Sequence, residues 1–409
     1  MFDAKKIQKD FPQLTRKING ERIVYLDSTA TSLKPQSVID KENEYYTQYT
    51  ANVFRGIYTT SEEATAAYEN ARALTASFIG ASTPDEIVFT RNASESINLV
   101  AYSYMLNEFQ SGDHVVTTIM EHHSNFVPWQ QLGEKRGIAV DIWGVTPDGV
   151  LDMGQLEKLI TSKTKILAVS AASNVTGTIT PITEIVRVVK RLNPHCLVLV
   201  DAAQAAPHMP VKVHEWNADF VVFSSHKMLG PTGIGVLWAK REHLEKMTPF
   251  NYGGDMISEV HIDRTVFKAP PHKFEAGTPH IAGVIGFGAA VEYLSSIGME
   301  NIRAHERDLV SYAIKQIDRV EGMHFLGPKD PDIRGGVFAC TLKSAHPHDI
   351  AQLLNESNVF IRAGNHCAMP LHEYFGIVST ARASFYVYTT REDVDAFIEG
   401  ILRVQKTFS

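Results

Sequence analysis

The chain has 409 residues, a formal net charge of −7 and 44% hydrophobic residues. Its length corresponds to roughly two to three domains and allows a large buried core. Charges of both signs are interspersed, and no stretch approaches the roughly 20 apolar residues of a membrane span, so a nucleic-acid or membrane role finds no support.

The N-terminal MFDAKKIQKDFPQL has no apolar core ahead of a cleavage-like site and is not read as a secretory signal. Short apolar runs then alternate with amphipathic stretches over the first two thirds of the chain. Strands are predicted at EIVFT (86–90), HVVTT (114–118), KILAVSA (165–171), CLVLVD (196–201), DFVVFSS (219–225) and GIGVLWA (233–239). ITEIVRVVKRLN (182–193) is predicted as a helix with Ile185, Val186, Val188, Val189 and Leu192 on one face. The alternation predicts an α/β domain around a mostly parallel sheet. The intervals after Asp201 and after Phe223 are too short for long crossover helices, so one strand is expected to run antiparallel. KAPPHKFEAGTPH (268–280) breaks the pattern. Helices are predicted at 286–298 and 305–320, strands at GGVFACTL (335–342) and ARASFYVY (381–388), and a last helix from about Arg391. These read as a second, smaller α+β domain. Of the three cysteines, Cys196 and Cys340 sit in apolar runs and read as buried. No disulfide framework is expected, which fits a reducing cytoplasm.

In open α/β sheets, ligands bind beyond the carboxyl ends of the strands. Five of the predicted strands lead into polar segments: TRNAS with Ala93 and Ser94, EHH with Glu121 and His122, ASN ending at Asn174, DAAQ with Asp201 and Gln204, and SSHK with Ser224, His226 and Lys227. Taken singly, Ser94 or Asn174 is equally well an ordinary helix cap. Asp201 follows four apolar residues, and an ionised carboxylate buried there needs a cationic or N–H partner. A protonated pyridine nitrogen is one such partner; a structural salt bridge is another. Lys227 stands between an apolar strand and a Gly-Pro turn, where burial can lower its pKa enough for a Schiff base. A lone lysine is more often a solvated surface group. Ser224 and His226 beside it can hold a phosphate, as can the N–H groups of the helix that TRNASESINLVAY (90–102) opens. His122 can stack on a flat cofactor. With His123 it could instead ligate a metal, but no cysteine pair or third histidine lies at ligand spacing, so no metal is expected. Cys367 lies in RAGNHCAMPL (362–371) among small residues, with Arg362 and His366 near. Such surroundings lower a thiol's pKa and leave it reachable. Arg382, inside a predicted strand, is costly to bury without an anion, and a substrate carboxylate would satisfy it.

Together and in order, YLDSTATSLKP, TRNASESIN, MEHHSNFVPW, SNVTG, VDAAQAAPH, FSSHKMLGPTGIG, FEAGTP, RAGNHCAMP and ARASFYVY resemble the class V, fold-type I pyridoxal 5′-phosphate (PLP) enzymes. Within them the chain is most similar to the SufS-type (group II) cysteine desulfurases, known also as selenocysteine lyases. The resemblance runs from about Asp10 to the C-terminus. It implies a fold-type I PLP-transferase architecture: an N-terminal segment (1–25) packed with the small domain, a large α/β domain (26–295) on a mainly parallel seven-stranded sheet, and a small α+β domain (296–409) carrying the cysteine loop. It also implies roles. Lys227 carries PLP as a Schiff base and moves protons, Asp201 pairs with the pyridine nitrogen, Gln204 pairs with the phenolate oxygen, and His122 stacks on the ring. Ala93, Ser94, Ser224 and His226 surround the phosphate, and Thr278 reaches the phosphate of the partner in a homodimer. Asn174 and Arg382 hold the substrate carboxylate with Arg362 nearby. Cys367 takes the sulfur of L-cysteine as a persulfide and leaves L-alanine. An acceptor protein of the SufE or SufU type is expected to receive the sulfur for iron–sulfur cluster assembly, and the HPHD segment with His348 resembles relatives that use SufU.

Four positions depart from the family pattern. Phe54 and Tyr58 replace common histidines, Ala93-Ser94 replaces a frequent threonine pair, and Asn365 replaces the first histidine of a common HHC. Backbone N–H groups can keep the phosphate, so the departures bear on proton handling, turnover and partner preference. Rival readings are a selenocysteine lyase using the same residues, a class V lyase or transaminase that does not need Cys367, and a non-catalytic assembly subunit. The last should have lost Lys227 or Asp201.

Overall fold

The computed structural model describes residues 2–408. Among them, seven strands build the large sheet: β1 (Ile87–Thr90), β2 (His114–Thr118), β3 (Ala139–Trp143), β4 (Thr164–Ser170), β5 (Leu197–Asp201), β6 (Phe220–Ser224) and β7 (Gly235–Ala239). Their spatial order is β1-β7-β6-β5-β4-β2-β3. β7 is antiparallel to both β1 and β6, and every other neighbouring pair is parallel. The expected antiparallel strand is therefore the one after Phe223. The interval after Asp201 is a parallel connection all the same, with only the four-residue helix Val213–Trp216 in it. β3 escaped the sequence reading because it lies at the sheet edge. Ala139 and Ile142 are exposed there, so no apolar run marks it.

The inner strands are largely apolar because both faces are covered. Ile166, Ala168 and Leu199 enter one hydrophobic cluster, with Ile97, Val100, Trp129 and Leu132. Leu167, Val169, Val198 and Val200 enter the other, with Ile185, Val189 and Phe287. Each fully buried Val, Leu, Ile or Phe side chain among them contributes roughly 1.5–3 kcal/mol. The covering helices are α1 (Gln36–Gln48), α2 (Thr59–Ile79), α3 (Ala93–Asn107), α4 (Val127–Arg136), α5 (Ile182–Leu192) and α6 (Ile281–Ile297). α5 buries Ile182, Ile185, Val186 and Val189. Val188 is half-buried and Leu192 exposed, so the buried face is narrower than the predicted one and is turned toward Ile182.

The C-terminal part holds α7 (Met299–Ile317), β8 (Met323–Phe325), β9 (Val337–Leu342), β10 (Arg362–Gly364), α8 (Met369–Tyr374), β11 (Thr380–Ser384) and α9 (Arg391–Thr407). The four strands form an antiparallel sheet, β8-β9-β11-β10. The strand predicted over 381–388 ends at Ser384. Beyond it the buried Tyr388 leaves the sheet, and its hydroxyl meets Ser28 Oγ at 2.8 Å and the Leu33 N–H at 3.2 Å. The N-terminal segment reaches the same region. Val24–Tyr25 pairs in parallel with Val359–Phe360, and Gln8 Nε2 donates to Tyr388 O. Among the described residues no single helix is long and apolar enough to cross a membrane.

Asp219 ties together the ends of the sheet away from the polar strand tips. It is buried and accepts from Val198 N at 2.8 Å, and from Lys190 Nζ and Lys240 Nζ at 2.7 Å each. Burial pushes its carboxyl up, but His243, Lys190 and Lys240 outweigh burial and hold it well below the usual range. Such a group adds stability above its unfolded pKa of about 3.9, and the gain is lost as pH falls through the folded value. Asp219→Asn should cost about 3 kcal/mol at neutral pH, the low end for a broken buried pair because both lysines keep some solvent. The difference from wild type should shrink as the pH falls below about 4; denaturant titrations at neutral pH and at about pH 3 check it.

Candidate active site

The carboxyl ends of β4, β5 and β6, the start of α3 and the β10–β11 strands enclose a cavity of about 350 Å³. Asp201, last of β5, is buried, and its Oδ1 accepts from Ala203 N at 2.9 Å. Burial pushes this carboxyl up, while the Ala203 N–H and the Lys227 charge oppose the rise. Gln204 donates from Nε2 to Thr29 O at 3.0 Å, and its buried Oε1 finds no partner among the described residues. Ser225–Lys227 form a tight turn after β6. Burial lowers the Lys227 pKa to about 8, with Asp201 opposing and Arg382 assisting. The peptide before Lys227 is fixed by four donors to the His226 carbonyl: Ser32 N at 3.0 Å, Ser32 Oγ and Thr31 Oγ1 at 3.1 Å, and Lys34 Nζ at 2.9 Å. Burial and the Lys227 charge lower the His226 ring to about 4.

α3 starts where β7 passes. A Cβ on Gly235 would lie 2.3 Å from the Asn92 carbonyl carbon, so this position has room only for glycine. The α3 cap is Asn92, which accepts from Glu95 N at 2.9 Å. Ser94 is thereby free of capping, and its Oγ lies 2.6 Å from Ser124 Oγ. Ala93 N donates to Ser224 Oγ at 2.8 Å. Ala93, Ser94, Ser224 and His226 thus gather at the cavity with Ser124, a residue the sequence reading did not single out. His122 Nδ1 accepts from Ser124 N at 3.1 Å, and burial and Lys227 lower its pKa to about 3, so its ring is neutral. Glu121, read at the same rim, instead faces inward. It is buried and takes donors from Thr118, Asn125 and Ser170, which bind the 118–125 turn to β4.

Arg362 and Arg382 are direct register partners on β10 and β11. Their side chains therefore leave one face, an unfavourable arrangement for like charges. Asp27 resolves it, with Oδ2 2.9 Å from Arg362 Nη2 and Oδ1 3.4 Å from Arg382 Nη2. Burial lowers the Arg382 pKa to about 10, although Asp27 pulls it up, and its Nε lacks a partner among the described residues. Asn174 accepts Arg382 Nη1 on its carbonyl at 3.1 Å and donates from Nδ2 to His366 O at 2.7 Å. Asp27 was missed by the sequence reading. Its signal was a carboxylate directly after the apolar VYL.

Cys196 and Cys340 are buried and Cys367 is exposed. Asn365 closes the turn at Cys367 by accepting its N–H at 3.0 Å, so the replaced histidine position serves here as a turn acceptor. Apart from Glu121, every predicted site residue except Thr278 lines the cavity; Thr278 is exposed and outside it. Phe54 and Tyr58 also lie outside. Phe54 packs edge-on against Tyr68 and His272, and Tyr58 is exposed.

These groups fit PLP. A buried carboxylate with one N–H donor suits a protonated ring nitrogen, and the Gln204 amide three residues on gives one Nε2–H to Thr29 O and has a second for a ring oxygen. Serine hydroxyls at a helix N-terminus suit a phosphate, and a half-buried lysine with lowered pKa suits an aldehyde. The sequence matches the aminotransferase class-V family over residues 24–397. A protein of Streptomyces coelicolor named probable cysteine desulfurase is 46% identical over 413 residues, spanning 100% of this chain and 98% of the relative. The apo structure of cysteine desulfurase from Thermococcus onnurineus superposes with a TM-score of 0.94 at 39% identity, covering 100% of this chain and 99% of that one. The cysteine desulfurase CsdA of Escherichia coli, in an S-sulfonic acid form, gives 0.92 at 35% identity over 100% of both chains. The chain belongs to the PLP-dependent aminotransferase class-V family, among its cysteine desulfurases.

Proposed function

We propose that the protein converts L-cysteine to L-alanine and keeps the sulfur as a persulfide on Cys367. The observation that carries this reading is a half-buried lysine, Lys227, and an exposed cysteine, Cys367, opening onto one cavity. PLP bound there supplies an electron sink. Asp201 would hold the protonated ring nitrogen, Gln204 would donate to the ring oxygen, and the neutral His122 would stack on the ring. Ala93, Ser94, Ser224 and His226 take the phosphate. Arg382, with Asn174, takes the substrate carboxylate in place of Asp27, while Arg362 stays on Asp27 at the mouth. Lys227 Nζ removes the α-proton, a task its lowered pKa suits. Cys367 Sγ attacks the substrate sulfur. The S–S bond forms as the carbon–sulfur bond breaks, and the electron pair stays on carbon, which Lys227 helps to reprotonate. L-Cysteine and one thiol become L-alanine and one persulfide, with no outside oxidant or reductant. Alanine and sulfide measured together from L-cysteine and a thiol reductant should appear in equal amounts; a keto acid in place of alanine would mark a lyase or transaminase.

The carboxylate role makes its own prediction. Arg382→Lys loses the planar fork and should raise KM for cysteine roughly tenfold with kcat little changed, since such binding is shared by ground and transition states. Steady-state kinetics check this.

The chain divides, in this reading, into an N-terminal segment (1–25), a large domain (26–295) and a small domain (296–409). Hydrophobic clustering supports the placement of the N-terminal segment: Val24 joins the small-domain cluster of Leu309, Phe338 and Phe397. The working unit is a homodimer in which Thr278 completes the partner's phosphate site, in keeping with its place outside the cavity of its own chain. A Lys227→Ala chain mixed with a Thr278→Val chain should regain one intact site per heterodimer, and a fully active monomer in sedimentation would contradict the pairing. The sulfur passes to an acceptor of the SufE or SufU type for iron–sulfur cluster assembly in the cytoplasm.

A further inference from the structure

His123 holds the chain just after Cys367 at two points. Its backbone N–H donates to the Cys367 carbonyl at 2.7 Å, and its ring Nε2 accepts the Met369 N–H at 3.0 Å. α8 begins at Met369, and Ala368 in its capping position offers no side-chain acceptor. His123 supplies that acceptor from 246 residues away in the chain. The grip answers a local need. His366 and Cys367 have φ of 52° and 57°, a conformation that residues other than glycine keep only where their surroundings impose it. Asn365 Oδ1 holds the Cys367 N–H, and Asn174 Nδ2 holds the His366 carbonyl. The downstream side of Cys367 rests on His123.

The next residue back, His122, lines the cavity where the cofactor ring is placed. Consecutive Cα atoms sit about 3.8 Å apart with little give, so one dipeptide spans from the cavity wall to the cysteine loop. We infer that His123 is a positioning residue that sets the reach of Cys367 Sγ toward the substrate sulfur, its ring serving as the acceptor that caps α8. The inference rests on the reading of Cys367 as the sulfur-accepting thiol. Nε2 accepts only when unprotonated, and burial lowers the ring's pKa, which keeps it so near neutrality.

The test compares holoenzyme variants in a single turnover with L-cysteine. His123→Gln keeps an acceptor oxygen near the position of Nε2. His123→Leu keeps bulk and loses the acceptor; both keep the backbone N–H. His123→Leu should form persulfide on Cys367 roughly tenfold to a hundredfold more slowly, the cost of a reacting atom displaced by about 1 Å. Its KM for cysteine and the absorbance of its bound cofactor should match wild type, and His123→Gln should regain most of the rate. Amide hydrogen exchange over residues 365–371 should be faster in His123→Leu than in either of the others. Should His123→Leu not fold, exchange on the wild type still decides, because the Met369 amide must be protected if His123 holds it. Equal persulfide rates in wild type and His123→Leu, a His123→Gln variant as slow as His123→Leu, or an unprotected Met369 amide would overturn the inference. Absence of persulfide on the wild type would instead overturn the reading of Cys367 itself.

Discussion

Lys227→Ala should turn over no L-cysteine above background. Loss of a positioned acid–base group alone costs roughly 10²- to 10⁴-fold, and this substitution also removes the covalent hold on the cofactor. The wild-type protein should be yellow, and borohydride should fix the cofactor to the chain at Lys227. Lys34 is the natural control. Burial lowers its pKa to about 8 as well, yet its Nζ is committed to the carbonyls of Ser32 and His226 and it does not line the cavity. Similar pKa values on two lysines thus lead to opposite expectations, decided by what each Nζ can reach. Fixation of the cofactor at any position other than Lys227 would overturn the assignment.

Cys367→Ser should keep the cofactor and still change its absorbance when L-cysteine binds, but form alanine roughly a thousandfold more slowly or worse, because no thiolate remains to take the sulfur. Cys196→Ser and Cys340→Ser should keep full activity. Each buries a hydroxyl, at a cost of about 1–3 kcal/mol where it finds no partner; Cys196 sits in the core and Cys340 beneath the small sheet. Selenocysteine should still react in Cys367→Ser, since selenium leaves more readily. Normal alanine formation from L-cysteine by Cys367→Ser would leave the cofactor assignment standing and remove the persulfide step.

Much of the site was legible because buried polar residues announce themselves. Asp201 after LVLV and Lys227 between a strand and a Gly-Pro turn are costly placements unless a ligand uses them, and both line the cavity. Glu121 carried the same signal and misled. It is buried, but four hydrogen bonds to its own neighbourhood satisfy it, and a sequence does not show which way a rim carboxylate faces. Asp27 was not singled out, and His123 was weighed only as a metal ligand, for a related reason. Each acts through partners more than 200 residues away in the chain, Arg362 and Arg382 for one and the Cys367 loop for the other. β3 was missed because an edge strand need not be apolar, whereas the inner strands, buried on both faces, had to be.

The most direct measurement is mass spectrometry of the Cys367 peptide after a single turnover with L-cysteine in the absence of reductant, with alanine counted in the same sample. The account predicts one added sulfur atom on Cys367 for each alanine formed, and none on Cys196 or Cys340. Alanine formed with no sulfur on Cys367, or sulfur carried on a different residue, would contradict it.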